Sequence, residues 1–435
     1  MNASTNLYED LRWRGILHQV TDESLSNELT ADHFTLYAGF DPTSDSLHVG
    51  SLLPLLTLRR FQLAGHSPIA VVGGATGMIG DPSGKTAERQ LLTPDILGKN
   101  LAGITAVIAR FLDQKGPNAA SIVNNADWFE GVSYIDFLRD TGKHFTVNHM
   151  IAKESVRARL EDREHGISYT EFSYMLLQAY DFYVLNLRHA CRLQIGGSDQ
   201  WGNITAGCEL IRRMAAAENR EAPRVFGLTH PLVTKADGTK FGKTESGTIW
   251  LDPRRTHPYQ FYQYFIQTPD ADAAKLLRYF TFLSHEEIAA LETSLAKEPE
   301  KRAAQTALAQ ELTKLVHGEA ELERAEKASK ALFGTEIRDL DAKTLLEVFS
   351  EAPATKKSQA ELSAGIPIVD LLVETGLCKS KGAARTDLQA GAIYVNNERV
   401  ADVAAKLDPA RLIGGAYVVL RRGKKTYHLV SFAKL

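Results

Sequence analysis

The stretch Gly39-Phe40-Asp41-Pro42-Thr43-Ser44-Asp45-Ser46-Leu47-His48-Val49-Gly50-Ser51 decides the fold. Upstream, Phe34-Thr35-Leu36-Tyr37-Ala38 reads as a short strand, and downstream Leu52 to Ala64 carries leucine at helical spacing. The stretch is therefore a strand-to-helix turn. His48, Gly50 and Ser51 stand where the helix begins, so free backbone N–H groups and the positive end of the helix dipole face outward there. That is a ready anion site. Gly50 lets a ligand approach the backbone, His48 adds a donor, and Pro54 fits a first helical turn that does not need its N–H. Taken alone, the same residues also suit plain turn chemistry.

Working outward, residues 1–33 read as a helix before the first strand, and Ser67-Pro68-Ile69-Ala70-Val71-Val72 as a second strand buried on both faces. This βαβ order implies a parallel sheet with a right-handed crossover. The second strand runs into Gly73-Gly74-Ala75-Thr76-Gly77-Met78-Ile79-Gly80-Asp81-Pro82-Ser83-Gly84-Lys85-Thr86, which invites two nucleotide-binding labels and fits neither. A P-loop needs glycine where Ile79 stands, and GxGxxG is absent. What survives is a loop at the carboxyl end of a parallel strand, with Asp81 and Lys85 available to a ligand. The competing reading is a turn in which Asp81 caps the next helix.

Residues 91–165 look mostly helical, with one strand at Ser121-Ile122-Val123-Asn124 and an aromatic, His-containing segment from Trp128 to Met150. A helix from about Thr170 to Leu187 places Tyr174, Gln178 and Asp181 at i, i+4 and i+7, on one line of an otherwise apolar face. Those polar groups need partners, which either a buried protein network or a ligand with an amine at one end and a hydroxyl at the other supplies. Leu193-Gln194-Ile195 is another strand, ending in Gly196-Gly197-Ser198-Asp199-Gln200-Trp201. Asp199 is placed to hold ribose hydroxyls, or simply to cap the helix that follows. Lys235 to Thr244 reads as a solvated turn, unless a triphosphate sits at the His48 turn; the loop could then close and bring Lys240 and Lys243 onto it.

The chain has 435 residues and is 44% apolar, enough for two or three domains. Its net charge of −3 excludes a wholly basic nucleic-acid binder, yet residues 356–435 hold 13 Lys and Arg against 7 Asp and Glu. A basic tail on an acidic body is the asymmetry of a module that touches a polyanion. Lys379, Lys381, Arg385, Arg421, Arg422, Lys424 and Lys425 recur among two short helices and strands there, a solvated surface or an RNA contact. Cys191, Cys208 and Cys378 have no CxxC spacing, which argues against a disulfide framework and a structural zinc, and suits a reducing cytoplasm. No signal peptide and no membrane-spanning run are expected. Pro258 to about Phe333 reads as helical, and Glu351 to Ser358 as the best linker.

His48-Val49-Gly50-Ser51 and Lys240-Phe241-Gly242-Lys243-Thr244 resemble the two signature motifs of the class I aminoacyl-tRNA synthetases. With Tyr37 to Thr43, Gly80 to Lys85 and Gln194 to Gln200, the resemblance is to the bacterial tyrosyl-tRNA synthetase family and covers almost the whole chain. It implies an α/β fold: a Rossmann-like parallel-sheet catalytic domain over 1–228, the second signature and an all-α anticodon-side domain over 229–335, a linker over 336–362, and a small α+β S4-like RNA-binding domain over 363–435. It implies tyrosine–tRNA ligase activity in the cytoplasm, with ATP and Mg2+, no structural metal, tRNA(Tyr) as partner, and a homodimer formed through Trp128 to Met150.

By the same resemblance Tyr37 and Asp181 hold the substrate phenol, while Tyr174, Gln178 and Asp81 hold its amino group. Gln200 lies near the reacting groups. Thr43, His48, Lys240 and Lys243 bind the triphosphate; Gly39, Asp41, Gly50, Ser51 and Asp199 complete the nucleotide site. Family members usually end the first signature in histidine, where this chain has Ser51, a shorter and uncharged donor. A tryptophanyl enzyme of the same class, or a non-catalytic RNA-binding protein on the same scaffold, are the alternatives; the Tyr37 and Asp181 pair and the intact His48, Lys240 and Lys243 speak against them.

Overall fold

The computed structural model describes residues 6–83, 92–153, 156–157, 160, 166–239, 241–244, 247–331, 335–349, 352–423 and 426–433. Lys85, Lys240, Lys424 and Lys425, singled out above, lie outside the described residues. The chain divides into two compact units, Met1–Arg255 with Thr268–Leu308, and Thr256–Gln267 with Ala309–Leu435.

The first unit is built on a six-stranded sheet of β1 (Gln19–Val20), β2 (Thr35–Phe40), β3 (Ser67–Val72), β4 (Ser121–Asn124), β5 (Cys191–Gly197) and β6 (Phe226–His230), in the spatial order β1-β6-β5-β2-β3-β4. All pairings are parallel except β1 with β6. The chain lays down β2, β3 and β4 in one direction, then returns to place β5 and β6 on the other side of β2. Connections leave β2 and β5 toward opposite faces, so a crevice opens between their carboxyl ends, the usual ligand position of a doubly wound sheet. The Leu52–Leu63 helix buries Leu52, Leu53, Leu55, Leu56, Leu58 and Phe61, which is why its hydrophobicity runs nearly all round.

Helices Asp270–Phe280 and His285–Lys297 belong to this first unit, so the helical region does not separate at residue 229. Two buried guanidiniums account for that. Arg14 donates to the carbonyls of Arg278, Thr281 and Leu283 at 3.3, 3.2 and 2.7 Å, and Arg60 donates to Thr281 at 2.6 Å. Asp10 balances the charge, 2.9 Å from Arg14 and 3.8 Å from Arg60.

The second unit carries a five-stranded sheet, in the order Glu398–Val400, Ile393–Val395, Tyr417–Arg422, Thr426–Ala433, Ala354–Ser358. Helices Ile368–Glu374 and Lys381–Gln389 contribute Leu371, Leu372 and Leu388 to its core, against Ile393, Leu420 and Val430. Residues 354–358, expected in a linker, form its edge strand, parallel to Thr426–Ala433. Lys356 is exposed, as an edge strand tolerates, while Lys357 pairs with Glu361 at 3.1 Å and Glu374 at 2.7 Å, and Thr355 is anchored to His428 at 2.8 Å.

Candidate active site

A cavity of about 360 Å³ occupies the crevice between β2 and β5. Its deep end is prepared by the Tyr169–His189 helix, which starts on Ser168 as N-cap, the Ser168 hydroxyl accepting from the Glu171 amide at 3.2 Å. This helix brings Tyr174, Gln178 and Asp181 to the cavity wall. Asp181 is buried; one carboxylate oxygen accepts from Trp128 Nε1 at 2.8 Å and the other from Asn125 Nδ2 at 3.1 Å. Burial raises its pKa to about 7, although both donors favour the ionised form. Tyr37 stands across from it on β2, 1% exposed and packed on Phe182, and its hydroxyl has no partner among the described residues. Burial, then the nearby Asp181, raises the Tyr37 pKa, so the phenol remains a donor at neutral pH.

The middle of the cavity is a chain of hydrogen bonds. Asn125 Nδ2 donates to Thr76 Oγ1 at 3.0 Å, Thr76 Oγ1 donates to Asp41 at 3.0 Å, and the Tyr174 hydroxyl donates to the other Asp41 oxygen at 3.1 Å. Across from it, Gln200 Nε2 donates to Asp81 at 2.7 Å, while Asn203 bridges Gln200 at 3.1 Å and Gln178 at 3.0 Å. The other Asp81 oxygen accepts from the Ser83 amide at 2.9 Å. Carboxylates thus line a zone that suits a cation such as an ammonium. Asp199 lies further out, its pKa raised by burial and then by the charge of Asp81.

The outer end is made of turns. Gly50 and Ser51 line the cavity just before the Leu52–Leu63 helix. The Gly50 amide donates to His48 Nδ1 at 2.9 Å, so that nitrogen is bare and Nε2 carries the proton, leaving a neutral His48 as a donor. Two backbone bonds tie this turn to the second signature: Val49 N to Ile249 O at 3.0 Å, and Ile249 N to Gly242 O at 2.9 Å. Gly242 has φ +82°, and a Cβ there would meet Val49 Cγ2 at 2.5 Å, so only glycine allows the close approach. Phe241 anchors the segment by stacking on Phe280 at 5.4 Å.

Of the residues expected at the site, Tyr37, Gly39, Asp41, Gly50, Ser51, Asp81, Tyr174, Gln178, Asp181, Asp199 and Gln200 line the cavity. Thr43, His48 and Lys243 are exposed and are not among its walls. Asn125, Trp128, Thr76, Asn203 and Gln194 were missed as site residues. The available signal was position: Asn125 and Trp128 follow the carboxyl end of β4, and Gln194 interrupts an apolar strand. In the second unit Lys379, Lys381, Arg385 and Arg422 are exposed, but Lys381 pairs with Asp370 at 2.7 Å and Arg422 with Asp387 at 2.9 Å. Arg421 lies 3.8 Å over the Tyr394 ring.

A doubly wound sheet with its cavity at the switch point and both signature segments joined beside it defines a class I aminoacyl-tRNA synthetase. The family "tRNA synthetases class I (W and Y)" matches residues 29–334, and a "Tyrosine--tRNA ligase SYY-like C-terminal domain" matches residues 345–430. The chain is 55% identical over 430 residues to a tyrosine–tRNA ligase of Geobacillus kaustophilus, covering 98% of this chain and 100% of that one, and 54% identical over 431 residues to tyrosine–tRNA ligase 1 of Bacillus subtilis, with the same coverage. Among solved structures, a C-terminally truncated mitochondrial tyrosyl-tRNA synthetase of Aspergillus nidulans superposes with a TM-score of 0.68 at 30% identity, over 76% of this chain and 95% of that one. The chain belongs to the tyrosine–tRNA ligase family.

Proposed function

We infer that the chain activates L-tyrosine with ATP to tyrosyl-adenylate, releasing pyrophosphate, and transfers the tyrosyl group to the terminal ribose of tRNA(Tyr). The observation that carries this is the deep end of the cavity, lined by both Tyr37, whose hydroxyl has no partner among the described residues, and Asp181. A phenol O–H can donate to Asp181 and accept from Tyr37 at once; a phenylalanine ring satisfies neither, and an indole N–H satisfies only Asp181. Asp81, Tyr174 and Gln178 hold the amino group, and Gln200 lies beside the reacting carboxylate. That carboxylate attacks the α-phosphorus in line while His48, Thr43, Lys240 and Lys243 stabilise the departing pyrophosphate, with Gly39, Asp41, Gly50, Ser51 and Asp199 around the nucleoside. No covalent enzyme intermediate is required, since positioning and charge stabilisation supply the catalysis.

Mg2+ enters on the triphosphate as part of the substrate; no cluster of three His, Cys, Asp or Glu side chains suited to a metal occurs among the described residues. The carboxyl-terminal module meets tRNA, with Lys379 and Arg385 better placed than Lys381, Arg421 and Arg422, which are engaged within it. The active form is a homodimer in the cytoplasm. Support for the dimer is an exposed apolar surface in and near the expected segment, with Tyr134 60%, Ile135 67% and Val147 58% exposed. For the membrane, the relevant fact is that no described helix is long and apolar enough to cross one.

The deciding experiment is ATP–pyrophosphate exchange with tyrosine, with tryptophan, and with neither. Exchange should require tyrosine. Equal exchange with tryptophan, or none at all, overturns the reading.

A further inference from the structure

One polar group at the nucleotide end has no role in the reaction as described. His230 closes β6, is 5% exposed and lines the cavity. Its Nδ1 lies 3.1 Å from the Pro231 carbonyl oxygen. A carbonyl only accepts, so Nδ1 carries the proton and Nε2 is a bare acceptor. Nε2 is buried without a partner among the described residues. Burial, and then the nearby His18, hold the imidazole pKa down at about 4, so the acceptor persists at neutral pH. A buried acceptor without a donor is costly, and a ligand that brings the donor relieves that cost.

Strand parity separates this group from the tyrosine end. Tyr37 and Gln194 are register partners on β2 and β5; Gly197 and His230 are partners on β5 and β6. Gly197 is three residues beyond Gln194, so the two pairs present opposite faces of the pleat. Gly197 also marks the nucleoside end: a Cβ on it would meet Asp199 Oδ1 at 2.5 Å and Leu232 Cδ2 at 3.2 Å. The Asp199 carboxylate offers two acceptors, sufficient for both ribose hydroxyls. With the ribose on Asp199, Leu232 and the bare Gly197 backbone are the surfaces beside which a base would lie, and the only strong donors on adenine are its 6-amino hydrogens.

We propose that His230 Nε2 accepts a hydrogen bond from the 6-amino group of adenine, and so selects ATP against purine triphosphates that lack this amine. The proposal rests on Asp199 holding the ribose, as above. Tyrosine-dependent pyrophosphate exchange is measured with ATP, purine riboside triphosphate and ITP, for the native chain, His230→Val and His230→Gln, alongside tyrosine binding by each. The native chain should prefer ATP over purine riboside triphosphate by about tenfold in kcat/KM, and disfavour ITP further because its O6 faces Nε2 as a second acceptor. His230→Val should bring the first two substrates within about twofold, through a higher KM for ATP, with tyrosine binding unchanged. His230→Gln keeps an acceptor and should recover part of the preference. A native-level preference in His230→Val overturns the proposal. Should His230→Val fail to bind tyrosine, His230→Gln decides: a preference for ATP that is partly lost supports the proposal, and one fully intact or wholly abolished overturns it. Absence of tyrosine-dependent exchange in the native chain overturns the proposed function instead.

Discussion

The two ends of the cavity are built differently. At the proposed tyrosine end Asp181, Asn125, Trp128 and Thr76 are buried on packed elements and already bonded to one another, while the Tyr37 hydroxyl has no partner among the described residues. At the proposed phosphate end Thr43 and His48 are exposed on a turn and Lys243 on the short strand Lys243–Thr244, with backbone bonds from Val49 to Ile249 and from Ile249 to Gly242 beside them. The contrast separates two tasks. Discrimination needs groups that stay unpaid when the wrong ligand binds, so they must be buried and fixed. Stabilising a leaving group needs donors that reach the charge only as it develops, which loops can provide.

The largest effect is expected from breaking the fixed end. Asp181→Ala removes the acceptor for the phenol and strands the Trp128 and Asn125 donors, so kcat/KM for tyrosine should fall by roughly a hundredfold or more, with preference over phenylalanine largely gone. An unchanged tyrosine-to-phenylalanine ratio would show that Asp181 does not read the phenol. The same carboxyl predicts a pH dependence. Its folded pKa near 7 lies above its ordinary 3.8, so between these values the folded chain holds a proton that the unfolded chain lacks; this contribution to stability is lost as pH rises toward 7. Tyrosine binding should move the other way, strengthening through about pH 7 as Asp181 ionises, and Asp181→Asn should flatten the profile. A profile that survives Asp181→Asn assigns the titration elsewhere.

At the phosphate end, His48→Ala and Lys243→Ala should each slow single-turnover tyrosine activation by roughly a hundredfold, the usual cost of losing one preorganised donor to a transition-state charge. Tyrosine affinity should stay within about twofold, since neither residue lines the cavity. Parallel losses in binding and rate would mean that the two ends are one network after all.

Much of this was legible in the residues because it follows from local chemistry. The turn from Gly39 to Ser51, the line of Tyr174, Gln178 and Asp181 on one helix, and the strand end at Gly196 each depend on residues close in sequence. The joins across the chain were not legible. Nothing near Asn125 indicates that its side chain bonds Asp181, 56 positions on, and nothing near Arg14 indicates that it ties helix carbonyls around Leu283 to the sheet domain. Ala354–Ser358 misled for a related reason: its partner residues lie 75 positions on, as in Ala354 with Leu429, and an edge strand bearing lysines has a linker's composition. His48 sits between these cases. Its place in the signature was plain, but its tautomer depends on the Gly50 amide that it accepts.

The smallest expected effect is the sharpest test of whether the ends are separate. Arg255 lies 3.6 Å over the Trp250 ring and pairs with Asp45 at 2.8 Å, while Trp250 meets the His48 ring edge-on at 6.2 Å and bridges the His48 backbone. Arg255 thereby clamps the turn carrying His48 without touching the cavity wall. Partly exposed ion pairs and cation–π contacts each contribute up to about 1 kcal/mol, so Arg255→Ala should raise the KM for ATP by about threefold to tenfold. Arg255→Lys keeps the charge but stacks less well, and should lie between. Because Asp45 and Arg255 are partly solvated, high salt should move the native chain toward Arg255→Ala and leave the variant almost unmoved. The KM for tyrosine should not change in either variant. If it rises in step with that for ATP, Arg255 supports the whole sheet edge and the division between a buried end and an exposed end fails.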